Sequence, residues 1–108
     1  MNRIVFAAAL TAAVSTAAVL LSANSAEAGN PMSGKRVYDA NCVLCHGADG
    51  QPKQPGTPNF SRRERMEFPD VKLMTSLRNG KNLCPSWRST LTDMDLSDVI
   101  SYIRTLAR

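Results

Sequence analysis

The chain has 108 residues, 44% hydrophobic and 20% charged, with a formal net charge of +4. That length holds one small domain, and the balance is that of a globular chain rather than a disordered one, so a two-domain protein is excluded. The charge is modest: Lys35/Arg36 and Arg62/Arg63/Arg65 are its local concentrations, better read as a solvated face than as a surface steering an acidic partner.

The first segment has its own composition. Arg3 precedes a stretch from Ile4 to Leu21 that carries no charge and is mostly Ala, Val and Leu, and Ala26-Glu27-Ala28 follows. A positive start, an apolar run and an A-x-A site describe a secretory signal peptide. The competing reading is a retained membrane anchor, but the run is Ala-rich and only weakly apolar. Residues 1–28 are therefore expected to be cleaved, leaving a single domain of 80 residues, Gly29 to Arg108. That domain should be periplasmic, without a membrane span, and nucleic acid is not an expected partner after export.

From Pro31 to Ala40 the chain suits a helix running into Asn41, with Gly34 and Tyr38 four residues apart on one face. Cys42-Val43-Leu44-Cys45-His46 follows directly. C-x-x-C-H in an exported chain is the attachment sequence of one covalent haem c: two thiols a helical turn apart bond to the porphyrin vinyl groups, and the adjoining His ligates iron. A thioredoxin-type redox pair would need a βαβ context. A zinc site would need a second ligand pair, and His46 is the only His.

Gly and Pro punctuation from Gly47 to Phe60 excludes regular structure until roughly Ser61. Pro69 to Asn79 predicts a short helix with Gly80 as its stop. Thr92 and Asp95 approximate a capping box, after which Leu96, Val99, Ile100, Ile103 and Leu106 recur at helical spacing. So small a chain cannot build much core unaided, and a bound cofactor should supply the missing stability. Three cysteines, an odd number, are not a closed disulfide set.

With these residues together, the mature chain resembles the class I cytochromes c along essentially its whole length. The resemblance implies an all-α fold of about three to four short helices wrapped around one haem, with the N- and C-terminal helices crossing. Gly34 and Tyr38 match the family's Gly and aromatic on the first helix, and Val99 and Tyr102 the aliphatic and aromatic on the last. Read physically, the bare Cα of Gly34 lets the helices approach, and the two tyrosines fill the crossing beside one haem edge. The resemblance also implies that a loop Pro carbonyl orients His46. Pro58, in Pro58-Asn59-Phe60, is the choice and Pro55 the second candidate. Lys35, Arg36 and the arginine cluster are candidates for contact with haem propionates or a partner.

One departure stands out. The family usually continues through Asn-Gly to Met-Pro-x-Trp or Met-Pro-x-Phe, whose Met is the second axial ligand; here the segment reads Asn79-Gly80-Lys-Asn-Leu-Cys84-Pro85-Ser86-Trp87. Cys84 stands where Met is expected. Met94 and Met74 lie inside helix signals and Met66 lies too far upstream, so each would need the fold rearranged to replace it. An intermolecular disulfide through Cys84, or a bystander Cys84 beside an open iron site, also competes with ligation.

The expected site is thus Cys42 and Cys45 as thioethers, His46 as proximal and Cys84 as distal iron ligand, with Pro58, Tyr38 and Trp87 around the haem. An anionic thiolate stabilises ferric iron and lowers the potential, and its loss on reduction would open a position for NO or CO. The expected protein is a low-potential electron carrier, not an enzyme. It resembles the small His/Cys-ligated subunits of the NaxLS type of anammox bacteria, which implies a second small cytochrome c subunit in a heterodimer besides redox partner proteins. Three further functions compete with this one. They are a pure sensor or scavenger of NO or CO, a haem subunit of a sulfur-oxidising enzyme acting on thiosulfate, with Cys84 carrying the sulfur, and an ordinary Met-ligated carrier.

Overall fold

A computed structural model describes residues 29–108; the expected signal peptide and its cleavage site up to Ala28 lie outside the described residues. Within them the chain forms four α-helices and one short 3-10 helix, with no β-strand. They are α1 (Pro31–Asn41), α2 (Val43–His46), the 3-10 turn Phe60–Arg62, α3 (Asp70–Asn79) and α4 (Asp93–Thr105).

α1 starts where the sequence permits it. Asn30 caps it, its side chain accepting the Met32 and Ser33 amides at 2.9 and 3.2 Å, and Pro31 occupies a first-turn position that needs no N–H donor. α4 starts with the expected capping box: Thr92 Oγ1 accepts from Asp95 N at 3.1 Å, and the Asp95 carboxylate accepts from Thr92 N at 2.9 Å. α3 begins at Asp70, with Pro69 as its N-cap rather than inside the helix.

α1 and α4 cross at Gly34. A Cβ there would overlap the Asp98 carbonyl, so any larger residue would force the helices apart. Tyr38, fully buried, packs edge-on against Tyr102 with ring centroids 5.2 Å apart. Around this crossing Tyr38, Phe60, Met66, Val99 and Ile103 form the core.

Arg104 ties α4 to the segment before α3. Its guanidinium donates to the Met66 carbonyl at 3.1 Å, the Phe68 carbonyl at 2.9 Å and Asp70 Oδ1 at 2.9 Å. These bonds span more than thirty residues of sequence and draw Met66 inward. Met66, expected from its distance upstream to need a rearranged fold before it could replace Cys84, is buried in the core and also lines the cavity that Cys84 lines.

Candidate functional site

The C-x-x-C-H segment sits on the junction of two helices. Cys42 ends α1, its N–H donating to the Tyr38 carbonyl at 2.8 Å, and begins α2, its carbonyl accepting from His46 N at 2.9 Å. Gly47 stops α2 with φ of 73°. Tyr38 Oη donates to the Gly47 carbonyl at 2.6 Å, tying the end of the motif back to α1. The following loop folds over the motif, with Lys53 N donating to the Cys45 carbonyl at 2.8 Å and Cys45 Sγ donating to Gln54 Oε1 at 3.0 Å.

A cavity of about 380 Å³ opens beside these residues, and Cys42, Cys45, His46, Pro58, Cys84 and Trp87 all line it. Val99, Ile100 and Ile103 of α4 and Leu73 and Leu77 of α3 supply aliphatic wall. Arg65, Lys72 and Lys81 are its charged lining, and no Asp or Glu joins them among the described residues. Lys35, Arg36, Arg62 and Arg63 do not reach it, so of the basic residues singled out by sequence only Arg65 does. Tyr38 does not line the cavity either; it lies behind the wall, in the helix crossing. Pro55 is likewise outside it.

His46 is held from one side by Phe60, whose ring stacks on the imidazole at 4.4 Å and 11°. Phe60 is placed by its own N–H, which donates to the Gly50 carbonyl at 2.9 Å. His46 Nδ1 is buried without a partner in hydrogen-bonding geometry, although the Pro58 carbonyl lies close enough to favour its proton. Burial, the larger influence, holds the imidazole below its usual pKa, against the pull of Pro58. The Pro58 carbonyl is the acceptor this buried Nδ1 has at hand, and a bond to it would leave Nε2 as the nitrogen free for a metal.

Opposite stands the arm that carries Cys84. Gly80 ends α3 at φ of 78°, and Lys81 and Cys84 then exchange backbone hydrogen bonds at 3.0 and 2.9 Å around a two-residue turn, with Asn82 at φ of 54°. Trp87 N donates to the Leu77 carbonyl at 2.9 Å, and the Ser86 hydroxyl donates to the Arg78 carbonyl, so both ends of the arm hang from α3. A Cβ on Gly80 would come within 2.9 Å of the Cys84 carbonyl and the Ser86 nitrogen.

The thiols of Cys42 and Cys84 both lie above their ordinary pKa. Burial pushes Cys42 up to about 12, and the neighbouring Cys84 and Cys45 add to this. Burial also raises the Cys84 thiol, with Trp87 pulling it down and Cys45 pushing it up. Free Cys42 and Cys84 thiols are therefore protonated at neutral pH, and a coordinated metal would displace the proton. Two thiols, a buried imidazole and a third sulfur around an apolar cavity fit one covalent haem.

Among the lining residues that sequence reasoning did not place at the site are Phe60, the stacking partner of His46, Gln54, Met66 and Phe68. Phe68 carries the Lys72 ammonium over its ring at 3.6 Å. The signal for Phe60 was its place two residues after Pro58; for Met66 none was local.

Residues 29–103 match the family model described as cytochrome c oxidase, cbb3-type, subunit III. The chain is 35% identical over 77 residues to cytochrome c6 of Cyanidioschyzon merolae, covering 69% of this chain and 73% of that one. It is 29% identical over 94 residues to the cbb3-type cytochrome c oxidase subunit CcoP of Azospirillum, covering 80% of this chain but 32% of that longer one. In fold it matches the crystal structure of cytochrome c6 from the diatom Phaeodactylum tricornutum, with a TM-score of 0.63 at 23% identity over 73% of this chain and 95% of that one.

Proposed function

Since the chain belongs to the class I family of monohaem c-type cytochromes, electron carriers that bind one covalent haem c, we propose that it is a periplasmic carrier whose iron is held by His46 and Cys84. When bound, the haem supplies an iron centre that gains and loses one electron. Cys42 and Cys45 hold it through thioethers. His46 would ligate its iron through Nε2, with the Pro58 carbonyl accepting the Nδ1 hydrogen and Phe60 stacking on the ring. Cys84 would ligate the iron as thiolate, hydrogen-bonded by Trp87, and Arg65, Lys72 and Lys81, the charged lining of the cavity, would offer positive charge to the propionates.

The observation that carries this reading is the convergence of Cys84 with Cys42, Cys45 and His46 on one apolar cavity. An anionic sulfur donates to ferric iron, so the potential is low compared with a thioether-ligated relative. A Cys84 released on reduction would let the reduced protein take up NO or CO. Carriage of electrons, rather than turnover of substrate, is the activity. Leu44 and Leu83, exposed at 91% and 71%, suit contact with redox partners, including a second small cytochrome c subunit.

Met66 is the rival sulfur, since it too lines the cavity. It packs in the core with Phe60 and Tyr38, whereas Cys84 stands in the sequence where the family's axial Met is expected, and this favours Cys84. Ferric EPR and far-red absorption of the haem-loaded protein separate the two. Cys84→Ser should abolish low-spin thiolate-type signals and raise the midpoint potential, while Met66→Leu leaves both in place. A methionine-to-iron charge-transfer band that survives Cys84→Ser and disappears in Met66→Leu would sink the thiolate reading and return the protein to ordinary Met-ligated carriage.

A further inference from the structure

Asp98, on the buried face of α4, is 9% exposed and is the buried charged residue among those described. No Lys or Arg pairs with it among the described residues. Its Oδ1 accepts the Asn30 backbone N–H at 2.7 Å. A buried carboxylate is costly unless a positive group answers it, and one amide hydrogen bond is a partial answer.

The residue before Asn30 lies against the same stretch of α4. A Cβ on Gly29 would overlap the Ser97 carbonyl and come within 2.7 Å of Ser101 Oγ, so only glycine fits. Standard bond lengths then hold the Gly29 nitrogen within about 5 Å of both acceptors and about 6 Å of Asp98 Oδ1. Three oxygens, one of them a carboxylate's, thus lie within reach of a small adjustment from a nitrogen that can carry three hydrogens.

We propose that Asp98, the Ser97 carbonyl and Ser101 Oγ form a binding site for an α-ammonium group, that of the mature chain itself. The inference rests on cleavage after Ala28. Hydrolysis of the Ala28–Gly29 peptide bond leaves the carboxylate with Ala28 and an amine on Gly29, which takes a proton at neutral pH. The new cation is the counter-ion that Asp98 otherwise lacks. Before cleavage the same nitrogen is a neutral amide. Processing therefore adds a charged clamp between the start of α1 and α4, one turn from the Gly34 crossing, and the fold gains stability when the signal peptide leaves. Capture of a terminal amine by converging oxygens is an established mode of recognition.

The test uses the exported, haem-loaded protein. Intact mass first identifies its opening residue. Selective Nα-acetylation near neutral pH, where the terminal amine is less protonated than lysine, then removes the cation. Thermal unfolding is read for four proteins: parent and Asp98→Asn, each free and acetylated. Acetylation should lower the parent Tm by about 4 °C or more, and Asp98→Asn should lower it similarly, while acetylating the variant changes little. Equal losses on acetylation in parent and variant would overturn the site. If Asp98→Asn does not fold, the parent decides alone, and an unchanged Tm on acetylation overturns it. A first residue other than Gly29 would instead defeat the cleavage reading, a failure that the mass shows before any melting is done.

Discussion

The two walls of the cavity are built differently. His46 stands on a helix whose hydrogen bonds run into α1, is backed by Phe60, and rests on the buried crossing of α1 and α4. Cys84 stands on a two-residue turn tied back to α3 by one backbone bond, from Trp87 N to the Leu77 carbonyl, and by the Ser86 hydroxyl, with Leu83 beside it 71% exposed. The first ligand shares the stability of the whole fold. The second depends on an arm that can open at a cost well below that of unfolding, because few buried apolar contacts hold it. On the proposed ligation, the first wall would hold its ligand firmly and the second conditionally.

The harshest way to break this contrast is at Gly34. Gly34→Ala drives a methyl group into the Asp98 carbonyl, backbone that cannot step aside, and should cost about 3 kcal/mol. The loss should appear as a lower Tm and a reduced yield of haem-loaded protein, and it should affect both ligands together because the scaffold fails. A variant that melts like the parent would mean that the crossing is looser than it looks.

Gly80→Ala attacks the other wall alone. The new Cβ meets the Cys84 carbonyl and the Ser86 nitrogen, and the positive φ is itself unfavourable for alanine, for a total of about 1 to 3 kcal/mol. Much of that should fall on the arm: the axial signal from sulfur changes or becomes heterogeneous, while His46 signals hold and Tm falls only modestly. Matching losses in both would erase the distinction between the walls.

The smallest effect is expected at Phe60. Phe60→Leu keeps an apolar side chain but removes the stack on His46, costing about 1 kcal/mol. Its diagnostic readout is the paramagnetic NMR pattern of the ferric haem methyls, which reports the imidazole plane. A pattern identical to the parent would show that Pro58 and the helix orient the ring without Phe60.

Much of this architecture is readable in the chain because the information is local. C-x-x-C-H specifies its chemistry by spacing along one helical turn. The Thr92–Asp95 box announces α4, and Gly34 with Tyr38 announces the helix crossing; the structure agrees with each. Of the two candidate prolines, Pro58 lines the cavity and Pro55 does not. Tyr38 shows the limit of such reading. Its burial is legible, but a buried tyrosine on a helix face can lie on the cavity side or behind it, and the bond from its hydroxyl to the Gly47 carbonyl holds it behind.

Met66 shows the limit more sharply. Distance along the chain argues against it, and the guanidinium of Arg104, 38 residues away, reverses that argument by gripping its carbonyl. The same holds for Asp98, an ordinary acidic residue in an amphipathic helix until the Gly29–Asn30 segment closes over it.

Residue order alone is enough to tell which side chains can bond to a haem, where the helices begin and stop, and that a cysteine stands in the place of a methionine, since each depends on neighbours within a few residues. Long-range packing was needed to settle which side chains share the cavity, which of the basic residues reach it, and which carboxylate is buried beside the Gly29–Asn30 segment. Those outcomes come from segments far apart in the chain meeting at a close-packed crossing, where the absence of one methyl group on Gly34 sets the distance between helices and hence the position of everything built upon them.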